Sequence, residues 1–202
     1  MGGMDITLPN IFYFISSISP LLLSFFLVMA SIFNQNLKGI VYLAGILLAT
    51  VINTIVLYII RNEKTIDAAP TCNLVNLPFN MSKYNVPSLN SSLIAFTMAY
   101  LIMPMQFSNN MNYSIISFLI GLFLMDGVNK ILNKCTNTTG VILGLFVGGT
   151  LGLLWYSIFH ATGYDSLLYF NELTSNKVYC DRPKKQTFKC AVYKNGELVK
   201  SL

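Results

Sequence analysis

The chain has 202 residues, of which 54% are apolar and 10% charged, with a formal net charge of +5. Soluble globular domains carry roughly 25% charged residues. The balance therefore excludes a soluble domain and leaves a membrane protein in contact with a lipid bilayer.

A bilayer core of about 30 Å takes roughly 20 helical residues, since lipid offers no partner to an unpaired backbone group. Five stretches meet or approach that length. Ile11 to Phe33 is the first, with Pro20 inside it as an expected kink, and the uncharged Gly39 to Ile60 is the second. Leu93 to Phe107 is short for a span, unless the polar turn Pro87 to Ser92 already lies at membrane depth against protein or a cavity. Tyr113 to Ile131 and Val141 to Phe159 complete the set, and the brief gaps Asn34 to Lys38 and Ser108 to Asn112 predict antiparallel hairpins. Met1 to Pro9 lacks the basic region of a cleavable signal, and Ile6 stands where a myristoylation motif has Ser or Thr.

Five spans place the N-terminus and the segments Arg61 to Ser92 and Lys130 to Thr139 at one end, face A. The Lys38 turn, the Ser108 turn and the tail from His160 onward lie at the other, face B. Arg61, Lys64, Lys83, Lys130 and Lys134 outnumber Lys38 and the more distant Lys177, so the positive-inside rule predicts a cytoplasmic face A. Asn-X-Ser/Thr sequons begin at Asn80, Asn90, Asn112 and Asn137, on both faces, and do not decide orientation.

Gly140, Gly144, Gly148 and Gly152 recur every four residues and so form one stripe of the fifth span. Such a stripe lets a second backbone approach closely, within the chain or, as the alternative, across a homo-oligomer. Asp126 is the acid inside an apolar span, with Lys130 at the favourable i,i+4 spacing, and the pair reads as an interfacial ion pair.

In the tail, Gly163 to Leu173 predicts a short aromatic helix in the interface plane or a loop packed on the bundle end. From Asn176 to Leu202 there are seven basic residues against Asp181 and Glu197, so this segment holds the whole net charge of +5. Thr187 to Tyr193 alternates as a strand does, and Asn195-Gly196 predicts a hairpin turn. Arg182, Lys184, Lys185, Lys189 and Lys194 are the candidate partner-binding residues, for a protein partner ahead of nucleic acid. Cys180 and Cys190 are a candidate disulfide, whereas Cys72 and Cys135 read most simply as two free thiols. No metal or cofactor site is expected from these spacings.

Pro87-Ser88-Leu89-Asn90-Ser91, at the entrance of a span, resembles the Pro-Ser-Gly-His-Ser signature of the PAP2 family of membrane lipid phosphatases. Thr136-Asn137-Thr138-Thr139-Gly140 with Val141, Gly144 and Gly148 is similar to that family's third motif, and the likeness runs from about Gly39 to Phe159. The resemblance implies a PAP2-like core in an all-α integral membrane fold of about five spans over residues 1–159, with 160–202 as a basic tail ending in a small β-hairpin.

Family chemistry needs two histidines, a nucleophile and an acid. Here Asn90 stands at the acid position and Thr136 or Asn137 at the nucleophile position. His160 is about 30 Å away at the other end of its helix. The resemblance therefore implies a catalytically inactive core in which Arg61, Lys64 and Lys83 are candidate head-group ligands. It extends to membrane proteins of large DNA viruses, and so to a multi-pass structural protein of a virion inner membrane that contacts a capsid or coat. The alternatives are a lipid-phosphate or polyprenyl-diphosphate phosphatase with altered residues, with Asp67 or Asp126 as its candidate metal ligand, and a small transporter or channel subunit. Against the last, the spans read as lacking paired ionisable residues.

Overall fold

Five helices form on the apolar stretches: α1 (Leu8–Phe33), α2 (Lys38–Ile60), α3 (Leu89–Phe107), α4 (Tyr113–Leu132) and α5 (Thr138–Ala161). The computed structural model describes residues 8–63, 72, 84–109, 111–169, 191–194 and 197–201; for residues 8–10 and for the last two segments it describes the backbone alone. α1 runs unbroken through Pro20. The carbonyl of Ser16, which Pro20 deprives of its usual N–H donor, accepts the Ser19 hydroxyl at 2.8 Å.

Four helices, α1 (over Ile11–Phe33), α2, α4 and α5, are long and apolar enough to cross a membrane. The expected count of about five is not reached because α3 carries Asn90, Ser91, Ser92, Thr97 and Gln106. These residues suit its position, since α3 packs against all four other helices. The exposed surface is the reverse of a soluble protein's. Leu21, Phe33, Ile59, Tyr113 and Leu132 are each more than 70% exposed, while Ser16, Ser91, Ser92 and Asp126 are buried. Apolar outside and polar inside is the arrangement lipid selects, so the chain is a multi-pass membrane protein.

Contacts at the helix ends fix the alternation. At face A, Ser16 of α1 meets Asp126 of α4, Asn90 of α3 meets Ser17 of α1, and the Ser88 N–H donates to the Gly140 carbonyl at 2.9 Å. At face B, the Gly39 N–H donates to Ser31 Oγ at 2.8 Å, and the Trp155 indole N–H donates to the Val41 carbonyl at 3.1 Å.

The Gly140–Gly152 stripe faces α3 within the chain. A Cβ at Gly148 would strike the Ser92 carbonyl, one at Gly144 would lie 2.8 Å from the Ser88 carbonyl, and one at Gly152 would lie 2.5 Å from the Phe96 carbonyl. The stripe is used inside one molecule and is not free to serve as a seam between copies.

Of the two expectations for Gly163 to Leu173, an interfacial helix or a loop packed on the bundle end, the described residues take the second, with one 3-10 turn at Asp165–Leu167. Leu168 and Tyr169 then fold back into the core with Tyr42 and Tyr100, and the Tyr169 hydroxyl donates to the Leu27 carbonyl. Burying two large side chains on the bundle end outweighs laying them in the interface. Further on, β1 (Ala191–Lys194) and β2 (Glu197–Ser201) pair antiparallel.

Candidate functional site

The face A end of the bundle interior is built from short polar side chains that converge from α1, α3 and α4. Ser88 is the N-cap of α3, follows a cis Val86–Pro87 peptide and is tied to α5 by its backbone bond to Gly140. Helix periodicity sets Ser91 one turn above it, and Asp126 and Lys130 project from successive turns of α4.

Asp126 is fully buried. Its Oδ2 accepts from Ser91 Oγ at 3.0 Å, and its Oδ1 accepts from Ser16 Oγ at 3.3 Å and pairs with Lys130 Nζ at 3.4 Å. Lys130 Nζ also donates to Ser88 Oγ at 3.3 Å, and Ser88 Oγ lies 3.0 Å from Ser91 Oγ. The charges thus belong to a closed network across three helices. Two expectations are corrected here. The pair is buried inside the bundle instead of lying at the interface, and the spans do contain paired ionisable residues. Low dielectric is the physical reason: a carboxylate taken out of water must find a cation and hydroxyl donors nearby.

Just above the network, Cys72 and Cys135 are joined by a disulfide, where two free thiols were expected. Cys135 is 7% exposed. Its N–H donates to the Lys130 carbonyl at 2.8 Å, and the Tyr13 hydroxyl lies 3.1 Å from its sulfur. The order of the spans puts both cysteines in loops of face A, where they could meet, but at 63 residues apart their spacing alone does not pair them.

The motif positions have structural partners. Asn90 Nδ2 donates to the Ser17 carbonyl at 2.9 Å, which ties α3 to α1. Thr136 Oγ1 donates to the Asn85 carbonyl at 2.7 Å, and Asn137 caps α5 by accepting from the Gly140 N–H at 2.8 Å. Pro87 and Ser91 are buried. Arg61 ends α2 in the left-handed region, exposed, with Nε donating to the Tyr58 carbonyl at 3.1 Å. His160 sits at face B, stacked on Tyr156 and 2.7 Å from Asp165 Oδ1. Lys64, Lys83, Asp67, Arg182, Lys184, Lys185, Lys189, Cys180 and Cys190 lie outside the described residues, as does the side chain of Lys194.

Chemically, the network holds charge in place. In this arrangement Lys130, paired with Asp126, donates to Ser88 Oγ. Among the described residues, no three His, Cys, Asp or Glu side chains come together as a metal site. Sequence reasoning missed Ser16 and Asn53. The available signal was polarity inside otherwise apolar spans: Asn53 is the amide of α2, 1% exposed, and among the described residues neither of its amide atoms has a partner.

The architecture and this polar end define a multi-pass helical membrane protein with an ion-paired interior at one face. No protein-family model, curated protein or solved structure matches the chain.

Proposed function

We propose that the protein is a non-catalytic structural component of a membrane, with a PAP2-like core whose former reaction centre now fastens helices together. α3 crosses the bilayer with the other four helices as the enclosed fifth span. The basic tail engages a protein partner, a capsid or coat in the virion-membrane reading. The observation that carries this is the use made of Asn90, Thr136 and Asn137. At the positions where the resemblance calls for titrating groups, all three spend their side chains on backbone atoms, Asn90 and Thr136 on other segments and Asn137 on the first turn of its own helix. An amide or hydroxyl so engaged neither accepts a proton near neutral pH nor attacks phosphorus.

The decisive assay is phosphate release from phosphatidate, lysophosphatidate and a polyprenyl diphosphate by the purified protein in mixed micelles. Release at the rate of protein-free micelles is expected. Release that Asn90→Ala or Asn137→Ala abolishes would establish the phosphatase alternative. For the scaffold role, cross-linking mass spectrometry on source membranes is expected to join Lys177, Lys184, Lys185, Lys189, Lys194 or Lys200 reproducibly to one partner protein. Links confined to the protein itself would remove the partner.

A further inference from the structure

The Cys72–Cys135 bridge closes at the face A end of the bundle. Cys135 is buried within the α4–α5 turn, bonded through its backbone to Lys130 and touched by Tyr13 of α1. The half-buried Cys72 reaches it from the segment that follows α2. Disulfides persist in oxidising compartments, whereas glutathione and thioredoxin keep cytosolic thiols reduced. We infer that face A looks into an oxidising compartment, a lumen or the cell exterior, and that the basic tail at face B lies in the cytosol.

Closing the bridge removes two protons and two electrons from the thiols of Cys72 and Cys135. A protein disulfide of that compartment accepts them and becomes a dithiol.

This orientation reverses the one expected from loop cations. Lys130, one of those cations, lies within the bundle, matched by Asp126. The whole net charge of +5 resides in the tail from Asn176 to Leu202. A cytosolic tail of that sign faces the anionic lipids of the inner leaflet. On that side Cys180 and Cys190 remain thiols. None of this rests on the scaffold reading, since an enzyme or a transporter could be inserted in the same sense.

The test uses the full-length chain in sealed microsomes, whose outer surface is the cytosolic one. A membrane-impermeant polyethylene glycol maleimide is expected to add twice, at Cys180 and Cys190, without detergent. Cys72 and Cys135 should react only after both detergent and a reductant are supplied. Reaction of Cys72 or Cys135 in sealed microsomes, or tail cysteines protected until detergent is added, would overturn the inference. As an independent readout, a glycosylation acceptor on a long spacer ahead of Met1 should gain a glycan, and one beyond Leu202 should not. A glycan at the C-terminal acceptor would by itself reverse the orientation.

Discussion

The two halves of the bundle are held by different physics. Toward face A the interior holds Ser16, Ser88, Ser91 and Asp126, joined by directional bonds of about 3 Å, with Asn53 and Ser92 buried beside them and their side chains unpartnered among the described residues. Toward face B it is Tyr42, Phe96, Tyr100, Leu119, Tyr156, Leu168 and Tyr169, in ring-to-ring packing such as Phe96 on Tyr100 at 6.1 Å and 9°. Lipid tails are as apolar as leucine, so no hydrophobic force draws helices together within the bilayer. Each half therefore relies on one of the two remaining devices, polar pairing or close packing. The polar half fixes which helices are neighbours, and the aromatic half fills the space between them.

The sharpest way to break this contrast is Asp126→Ala. It would leave Lys130 inside the bundle without its counter-charge and Ser16 and Ser91 without their acceptor, at a cost of about 3–5 kcal/mol. Thermal unfolding in detergent should show the loss. The double variant Asp126→Leu with Lys130→Met should recover most of it, because removing both charges leaves no orphan. A single variant that melts with the wild type would mean the network contributes nothing. Next in size is Gly148→Ala, whose Cβ meets the Ser92 carbonyl and must push α5 off α3, costing about 1–3 kcal/mol. Gly149→Ala is the control, since its Cβ meets nothing within 4 Å. It should stay within about 0.5 kcal/mol of the wild type.

Much of the helix plan was legible in the sequence, because length and apolarity are local properties, whereas the aromatic cluster around Tyr42 and Tyr100 was not named by any pattern. The four long apolar helices, the alternation of their ends and the glycine stripe all follow from such patterns. α3 was the partial exception. Its polar residues shorten the apolar run to Leu93–Phe107, whereas the helix starts at Leu89 because its surroundings are protein and not lipid. The polar half was much less readable. Asp126 with Lys130 stood out through their spacing, but their bonds to Ser16 and Ser88 join residues 110 and 42 positions apart. The partners of Cys72, Asn90 and Thr136 are set by the assembled bundle in the same way, so no local pattern could name them.

Asn53 gives the smallest effect and the one of opposite sign. It lies in the face A half of α2, buried among helices, and among the described residues no group bonds its amide. If the polar half were stabilised simply by being polar, Asn53→Leu should weaken it. If polar groups help only when paired, as the closed Asp126 network implies, removing an unpaired amide and filling its place with hydrocarbon should stabilise the fold by about 1 kcal/mol. A rise of a few degrees in the unfolding midpoint of Asn53→Leu would support the pairing rule. A fall of similar size would mean that the amide bonds something the protein acquires in the membrane, and Asn53→Asp and Asn53→Ser would then separate its donor and acceptor roles.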